Sequence, residues 1–232
     1  MTFPAARGEY HVHIWGKNQS MENQKSQPSV DAQYQELSAY YQEVYKLQLT
    51  QLQQVHGDQL VTFGSVCEMN REGDACLSEH PDIALLVKTA DCIPILFFNP
   101  ERILFGAIHS GWRGLKLNLL QSTIAQLPSS SLVVNVEALH FVIGPHINQS
   151  HYETGEDVYA QFPLEFSYPV TDSQKRNLDM QAILKTQLIE CNIPLQNQTW
   201  INHDTFNSNH YFSHRSGDTA RNFNIIFFKK TG

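Results

Sequence analysis

No stretch of the 232-residue chain approaches the roughly 18 consecutive apolar residues that a membrane-spanning helix requires. Positive charge is also scarce: 16 Lys and Arg stand against 23 Asp and Glu, a formal net charge of −7. That balance offers no basic footprint for a phosphate backbone, so neither nucleic acid nor a membrane is an expected partner. The opening residues, MTFPAARGEYHVHIW, contain no apolar core and no cleavage pattern, and no secretory signal is expected. Only four cysteines occur, at positions 67, 76, 92 and 191, with no CxxC pair. They read as reduced thiols rather than a disulfide framework, and the expected location is cytoplasmic. Repeats, long linkers and exposed heptads are missing too, so a monomer or weak homodimer is expected.

What the chain does have is material for a core, at 41% hydrophobic and 17% charged residues. Gly16 to Gln33 is polar, rich in Asn, Gln and Ser, and reads as a loop. Gln33 to Leu49 carries Leu37, Tyr40, Tyr41, Val44, Tyr45 and Leu47 in a near-helical stripe, with Asp31 as N-cap. Short apolar runs over 60–63, 83–87, 93–98, 103–108 and 140–143, bounded by Asp, Asn, Pro or Gly, predict buried strands. Helical patterns follow over 115–127, stopped by Pro128, and over 155–162 and 178–191. The β-like segments 199–201 and 223–228 close the chain. Strands and helices mix without βαβ alternation. The expected fold is therefore α+β: a single domain, 1–232, of mixed β-sheets flanked by helices.

Reactive side chains gather where these strands end. His56 precedes Gly57 and the run Leu60–Phe63; Asp91 and Cys92 lie between two strands; His109 leads into Ser-Gly-Trp-Arg-Gly and a helix. Two imidazoles and a thiolate suit zinc and leave a fourth tetrahedral position open, the mark of a catalytic rather than a closed structural site. The same donors also accept copper. The turn bracketed by Gly111 and Gly114 offers backbone N–H groups and a helix N-terminus to an anion, and Arg113 adds a donor fork suited to phosphate. Taken singly, Cys92 fits a core position, each histidine a hydrogen-bonded structural role, and Asp91 a turn residue. Their joint placement at strand ends is what points to chemistry.

These segments also follow one another in a recognisable order. Gln-Val-His-Gly at 54–57, Gly-Asp-Ala at 73–75, Thr-Ala-Asp-Cys-Ile-Pro at 89–94 and His-Ser-Gly-Trp-Arg-Gly at 109–114 resemble the YfiH-like family, also called the laccase-domain or multicopper polyphenol oxidase family. Ile143-Gly144-Pro145, the stretch from Tyr152 to Val158, and Tyr-Phe-Ser-His-Arg at 211–215 extend the resemblance from about residue 50 to the end. It implies a sandwich fold with zinc held by His56, Cys92 and His109. It implies a purine nucleoside phosphorylase acting on adenosine, inosine, guanosine and methylthioadenosine, with adenosine deaminase activity, and so both transferase and hydrolase chemistry. Its small-molecule partners would be a purine nucleoside and phosphate. Arg113 and Arg215 would contact phosphate or substrate, and Asp91, Cys92 and His109 would serve catalysis, with Asp91 moving a proton or orienting a ligand.

Departures from the family pattern concentrate in residues 1–50, where the Gly-Gly-Val-Ser and Asn-Leu motifs have no clear counterpart. Asn148-Gln149-Ser150-His151 and His203-Asp204 stand where the family carries cysteines. His151 and His203 are therefore candidates for an extra ligand or an acid–base group, against a surface or structural role. Three other classes stay open. A Cys92–His109 dyad would make a cysteine hydrolase or deamidase, a copper site would make a polyphenol oxidase, and a retained metal without turnover would make a scaffold.

Overall fold

A computed structural model describes residues 1–17, 29–64, 70–127 and 135–230. Two sheets dominate. The first is five-stranded, in the order β1 (Thr2–Ala5), β2 (Gly8–Trp15), β16 (Asn222–Lys230), β8 (Ile83–Thr89) and β3 (Gln48–Leu49). The second is six-stranded: β15 (Gln198–Trp200), β11 (His140–Ile143), β9 (Ile93–Phe98), β10 (Phe105–Ser110), β7 (Ala75–Ser78) and β5 (Leu60–Phe63). Both mix parallel and antiparallel pairs: β3 on β8 and β5 on β7 are parallel, whereas β16 is antiparallel to β2 and β8. Smaller sheets join β12 (Glu153–Thr154), β14 (Arg176–Leu178) and β13 (Ser167–Pro169), and pair β4 (Leu52–Gln53) with β6 (Arg71–Glu72).

The two large sheets pack face to face. Tyr10, Val12, Leu85, Val87 and Ile226 from the first meet Val61, Leu96, Phe98, Phe105 and Val142 from the second. Each sheet is apolar on its outer face as well, which explains why its strands read as continuous hydrophobic runs. Ala84, Leu86, Phe223, Ile225 and Phe227 turn outward under Tyr34, Leu37 and Tyr41. On the far side, Ile95, Phe97, Phe141 and Ile143 pack beneath Leu115, Leu119, Leu120, Ile183, Leu184 and Leu188. The result is helix, sheet, sheet, helix: an α+β sandwich.

Several elements differ from their sequence patterns for local reasons. Residues 18–28 of the expected loop, and Pro128, lie outside the described residues. The first helix, α1 (Val30–Tyr40), starts within that expected loop and is capped by Ser29, whose Oγ accepts from Ala32 N at 3.1 Å, rather than by Asp31. It runs on as a π-helical turn over Tyr41–Tyr45 and stops at Lys46, which takes φ 60°; 48–49 is strand, not helix. The pattern over 115–127 splits into α2 (Trp112–Lys116) and α3 (Leu119–Ala125), because Asn118 adopts φ 53° between them. Gln187 covers that break, its Nε2 donating to Leu115 O at 2.7 Å and Asn118 Oδ1 at 2.9 Å. Gln187 belongs to α5 (Met180–Glu190), while the expected helix over 155–162 is the single turn α4 (Glu156–Tyr159).

Candidate metal centre

His56, Cys92 and His109 converge at one end of the sandwich, their donor atoms all within 4.8 Å of one another. Each arrives by a different route. Cys92 sits in the tight connection between β8 and β9; His109 lies near the end of β10; His56 lies in the loop between β4 and β5. Two of these placements need left-handed backbone, with φ 60° at His56 and 88° at Asp91, just before the thiol.

A single carboxylate organises both histidines. Asp74 is fully buried ahead of β7. Its Oδ2 accepts from Val55 N at 3.0 Å and Gly57 N at 2.7 Å, gripping the backbone on either side of His56. Its Oδ1 accepts from His109 Nδ1 at 2.8 Å. That bond occupies Nδ1 and leaves Nε2 for the cluster, the carboxylate–histidine arrangement common behind zinc ligands. Burial alone would raise the Asp74 carboxyl; these three hydrogen bonds and the His109 charge outweigh it and hold the group below its ordinary value.

The thiol is tuned in the same way. Burial pushes Cys92 up, but the His109 charge and hydrogen bonds from both histidines prevail and bring it down to about 6. His109 answers in the opposite direction: against the burial penalty, the Cys92 charge and the Asp74 bond raise it to about 9. The two neutralise each other as a thiolate–imidazolium pair. Replacing that proton with a divalent cation suits the set, because ligation needs the thiolate and the neutral imidazole. Tetrahedral donors at zinc distances stand about 3.3–3.8 Å apart, so a modest closing of the cluster accommodates the ion. The donor set fits a metal.

Asp91 stands beside the cluster but is already committed. Its Oδ1 accepts from Thr205 Oγ1 at 2.7 Å and its Oδ2 from Arg215 N at 2.7 Å, while its own carbonyl accepts from Ile147 N at 3.0 Å. The carboxylate anchors the Cys92 turn to two distant loops. Gly111 completes the centre by its lack of a side chain: a Cβ there would lie 2.8 Å from Cys92 Sγ and 3.5 Å from His56 Cδ2. The helix it opens, α2, is a five-residue turn without a side-chain cap, too short to act as an anion site through its dipole.

The cluster opens into a cavity of about 660 Å3. Trp112, Arg113, Tyr152, Lys88, Arg215 and Arg221 are among the residues lining it. Arg113 lies over Trp112, 4.4 Å from the ring centroid, and has no ion pair among the described residues. Arg215 is partly engaged, donating to Glu153 O at 2.9 Å and His151 O at 3.4 Å. Burial raises the Tyr152 phenol, so it stays protonated as a hydrogen-bond donor. The remaining histidine candidates fall elsewhere. His151 bonds Asp204 at 2.5 Å and stacks on Phe206, and His203 packs near Tyr211; neither joins the donor cluster among the described residues. Sequence reasoning noted Gly-Asp-Ala at 73–75 without giving Asp74 a role, and passed over Lys88 and Arg221 altogether.

A helix-flanked sandwich with three metal donors at its open end defines the class. The chain belongs to the family described as multi-copper polyphenol oxidoreductase laccase, whose profile matches residues 7–229. That match reaches well into the N-terminal region, where the motif resemblance fades. A purine nucleoside phosphorylase of Deinococcus radiodurans is 40% identical over 111 residues, covering 48% of this chain and 42% of that protein. One from Clostridium acetobutylicum is 30% identical over 137 residues, covering 59% and 57%. The chain thus spans about half the length of the curated relatives it matches. Among solved structures, YlmD from Geobacillus stearothermophilus shares the fold with a TM-score of 0.80 at 19% identity, over 95% of this chain and 92% of that one. No helix among the described residues is long and apolar enough to cross a membrane.

Proposed function

We infer that the chain is a single-domain, zinc-dependent purine nucleoside enzyme of the cytoplasm. It carries out phosphorolysis of adenosine, inosine, guanosine and methylthioadenosine, and deaminates adenosine at the same site. One observation carries this reading: the His56, Cys92 and His109 donors share a cavity with Arg113, Trp112 and Tyr152. The names of the relatives support it at the level of nucleoside phosphorolysis.

In phosphorolysis a phosphate oxygen bonds to the anomeric carbon as the glycosidic bond breaks, and the departing purine takes the electron pair and a proton. Arg113 holds the phosphate and offsets its charge, with Arg215 on the neighbouring wall. Trp112 offers a flat apolar face for the base, and the Tyr152 hydroxyl a donor for a purine nitrogen or a ribose oxygen. Deamination adds water at the purine carbon bearing the amine and releases ammonia. His56, Cys92 and His109 would hold zinc, which would supply Lewis acidity at the reacting end of the cavity. Within the site Asp74 orients His109, and Asp91 acts as the anchor of Cys92 rather than as a proton carrier.

Chromatography of adenosine incubated with the zinc-replete protein tests the reading. Adenine formed only with phosphate establishes phosphorolysis, inosine formed without phosphate establishes deamination, and unchanged adenosine in both tubes removes it. Cys92→Ala abolishes metal and turnover together. A second reading has its own support, because Cys92, His109 and Asp74 also form a nucleophile–base–orienter series. His56 separates the two: His56→Ala ends metal-dependent nucleoside turnover, whereas a cysteine hydrolase retains thiol-dependent activity without it.

A further inference from the structure

Two cations of the cavity wall stand apart from the metal donors and from Arg113. Lys88 lies near the end of β8 and Arg221 just before β16. Across the ladder Lys88 faces Phe223, and Arg221 precedes Phe223 by two residues. Both side chains therefore project from the outer face of the five-stranded sheet, as diagonal neighbours roughly 7–8 Å apart. Both line the cavity.

Their backbones are held with unusual symmetry. Gln54 brackets Lys88, its Nε2 donating to Lys88 O and its Oε1 accepting from Lys88 N, each at 2.8 Å. Gln33 brackets Arg221 in the same manner, each bond 3.1 Å long. Two glutamine amides thus stand in for missing strand partners at the two positions that carry the cations. One comes from α1, the other from the loop leading to His56.

Among the described residues no ion pair joins either cation. Among the same residues, the Arg221 guanidinium donates only to the carbonyls of residues 218–220, and Lys88 makes no hydrogen bond or ion pair through its ammonium. Asp31 attracts Lys88 from α1 without contact, while Arg221 repels it. Burial is the largest cost to the Lys88 charge, and an anion bound between the two cations would offset it. In a chain of net charge −7, such a pair on a cavity wall is not an average feature of the surface.

We propose that Lys88 and Arg221 form a phosphoryl-binding subsite on the part of the cavity wall built by the five-stranded sheet. The subsite takes a dianionic phosphoryl group, either free phosphate or the phosphate monoester of a nucleotide. It deepens the nucleoside reading and depends on it only for the nucleoside half of the ligand.

The test is calorimetric titration of the zinc-replete protein with inorganic phosphate, adenosine and adenosine 5′-monophosphate, repeated on Lys88→Met. Losing one charge-assisted contact is expected to cost about tenfold in affinity. If the phosphoryl group belongs to the nucleotide, the ratio of monophosphate to adenosine affinity falls about tenfold. If it is free phosphate, phosphate affinity falls by that factor and the ratio holds. Arg221→Gln behaves alike, and Lys229→Met, an equal loss of charge on the exposed end of β16, moves neither quantity. Phosphate binding that depends on Lys88 while adenosine fails to bind supports the subsite and defeats the nucleoside reading. Equal values in Lys88→Met and the unaltered protein, or no binding of phosphate and monophosphate by the unaltered protein, overturn the subsite.

Discussion

Asp74 Oδ1 accepts from His109 Nδ1 at 2.8 Å, and the same carboxylate grips the backbone on both sides of His56 through its other oxygen. One buried side chain thereby sets two of the three metal donors. Asp74→Asn preserves size but puts an amide where the histidine N–H and two backbone N–H groups need acceptors. Zinc affinity, measured by chelator competition, is expected to fall about 10–100-fold. Unchanged affinity would remove Asp74 from the organisation of the centre.

Gly111 matters for the space it leaves. Its φ of −85° suits any residue, so Gly111→Ala adds no backbone strain, yet its methyl would lie 2.8 Å from Cys92 Sγ. The variant is expected to fold and melt close to the parent while binding much less zinc, as read by metal analysis of the purified protein. Full occupancy would show that the thiol can give way.

The metal-free protein offers a direct reading of the thiolate. With Cys92 held at about 6, its alkylation rate should be high above that pH and fall away below it. Removing the imidazolium in His109→Ala moves the midpoint upward, and zinc blocks the reaction. A midpoint near 9 in the parent would contradict the ion pair.

Acid stability depends on a histidine outside the donor cluster. His13 is lowered to about 4, chiefly by burial and then by the N-terminal charge and His11, and it bonds the Tyr41 hydroxyl at 2.7 Å. The unfolded chain binds this proton near pH 6.5, so the unfolded state holds more protons between those values. Stability contributed by neutral His13 is full above about 6.5 and is lost as the pH falls toward 4. His13→Gln should flatten the denaturation profile across that window, and an unaltered slope would reject the assignment.

Much of the sandwich was legible where local pattern sufficed. Leu60–Phe63, Ile93–Phe98 and His140–Ile143 are strands with the expected bounds, because their apolar runs end at turn residues. The strand Gly8–Trp15 escaped notice although Tyr10 and Val12 alternate inward. Its other positions, His11, His13 and Trp15, look polar or indifferent in sequence and turn out to pack beneath the Tyr41 region. At the site, the reactive residue types were visible but their supports were not. Asp74 reaches His109 across 35 positions and Asp91 reaches Arg215 across 124. Such pairings leave no local periodicity to read. The split between α2 and α3 was hidden for the same reason, since Gln187 satisfies it from another helix.

The position of β16 carries a consequence for synthesis. It lies between β2 and β8, so those two strands expose unpaired edges until the ribosome has delivered Asn222–Lys230. Thr205, Arg215 and Arg221 arrive just before that strand. The nascent chain can hold the three donors early, but it cannot lock Cys92 in its turn or complete the cavity wall. Completion of the centre therefore waits on residues 205–230, and a ribosome stalled before residue 205 would hold a sticky half-sheet with a loose donor cluster.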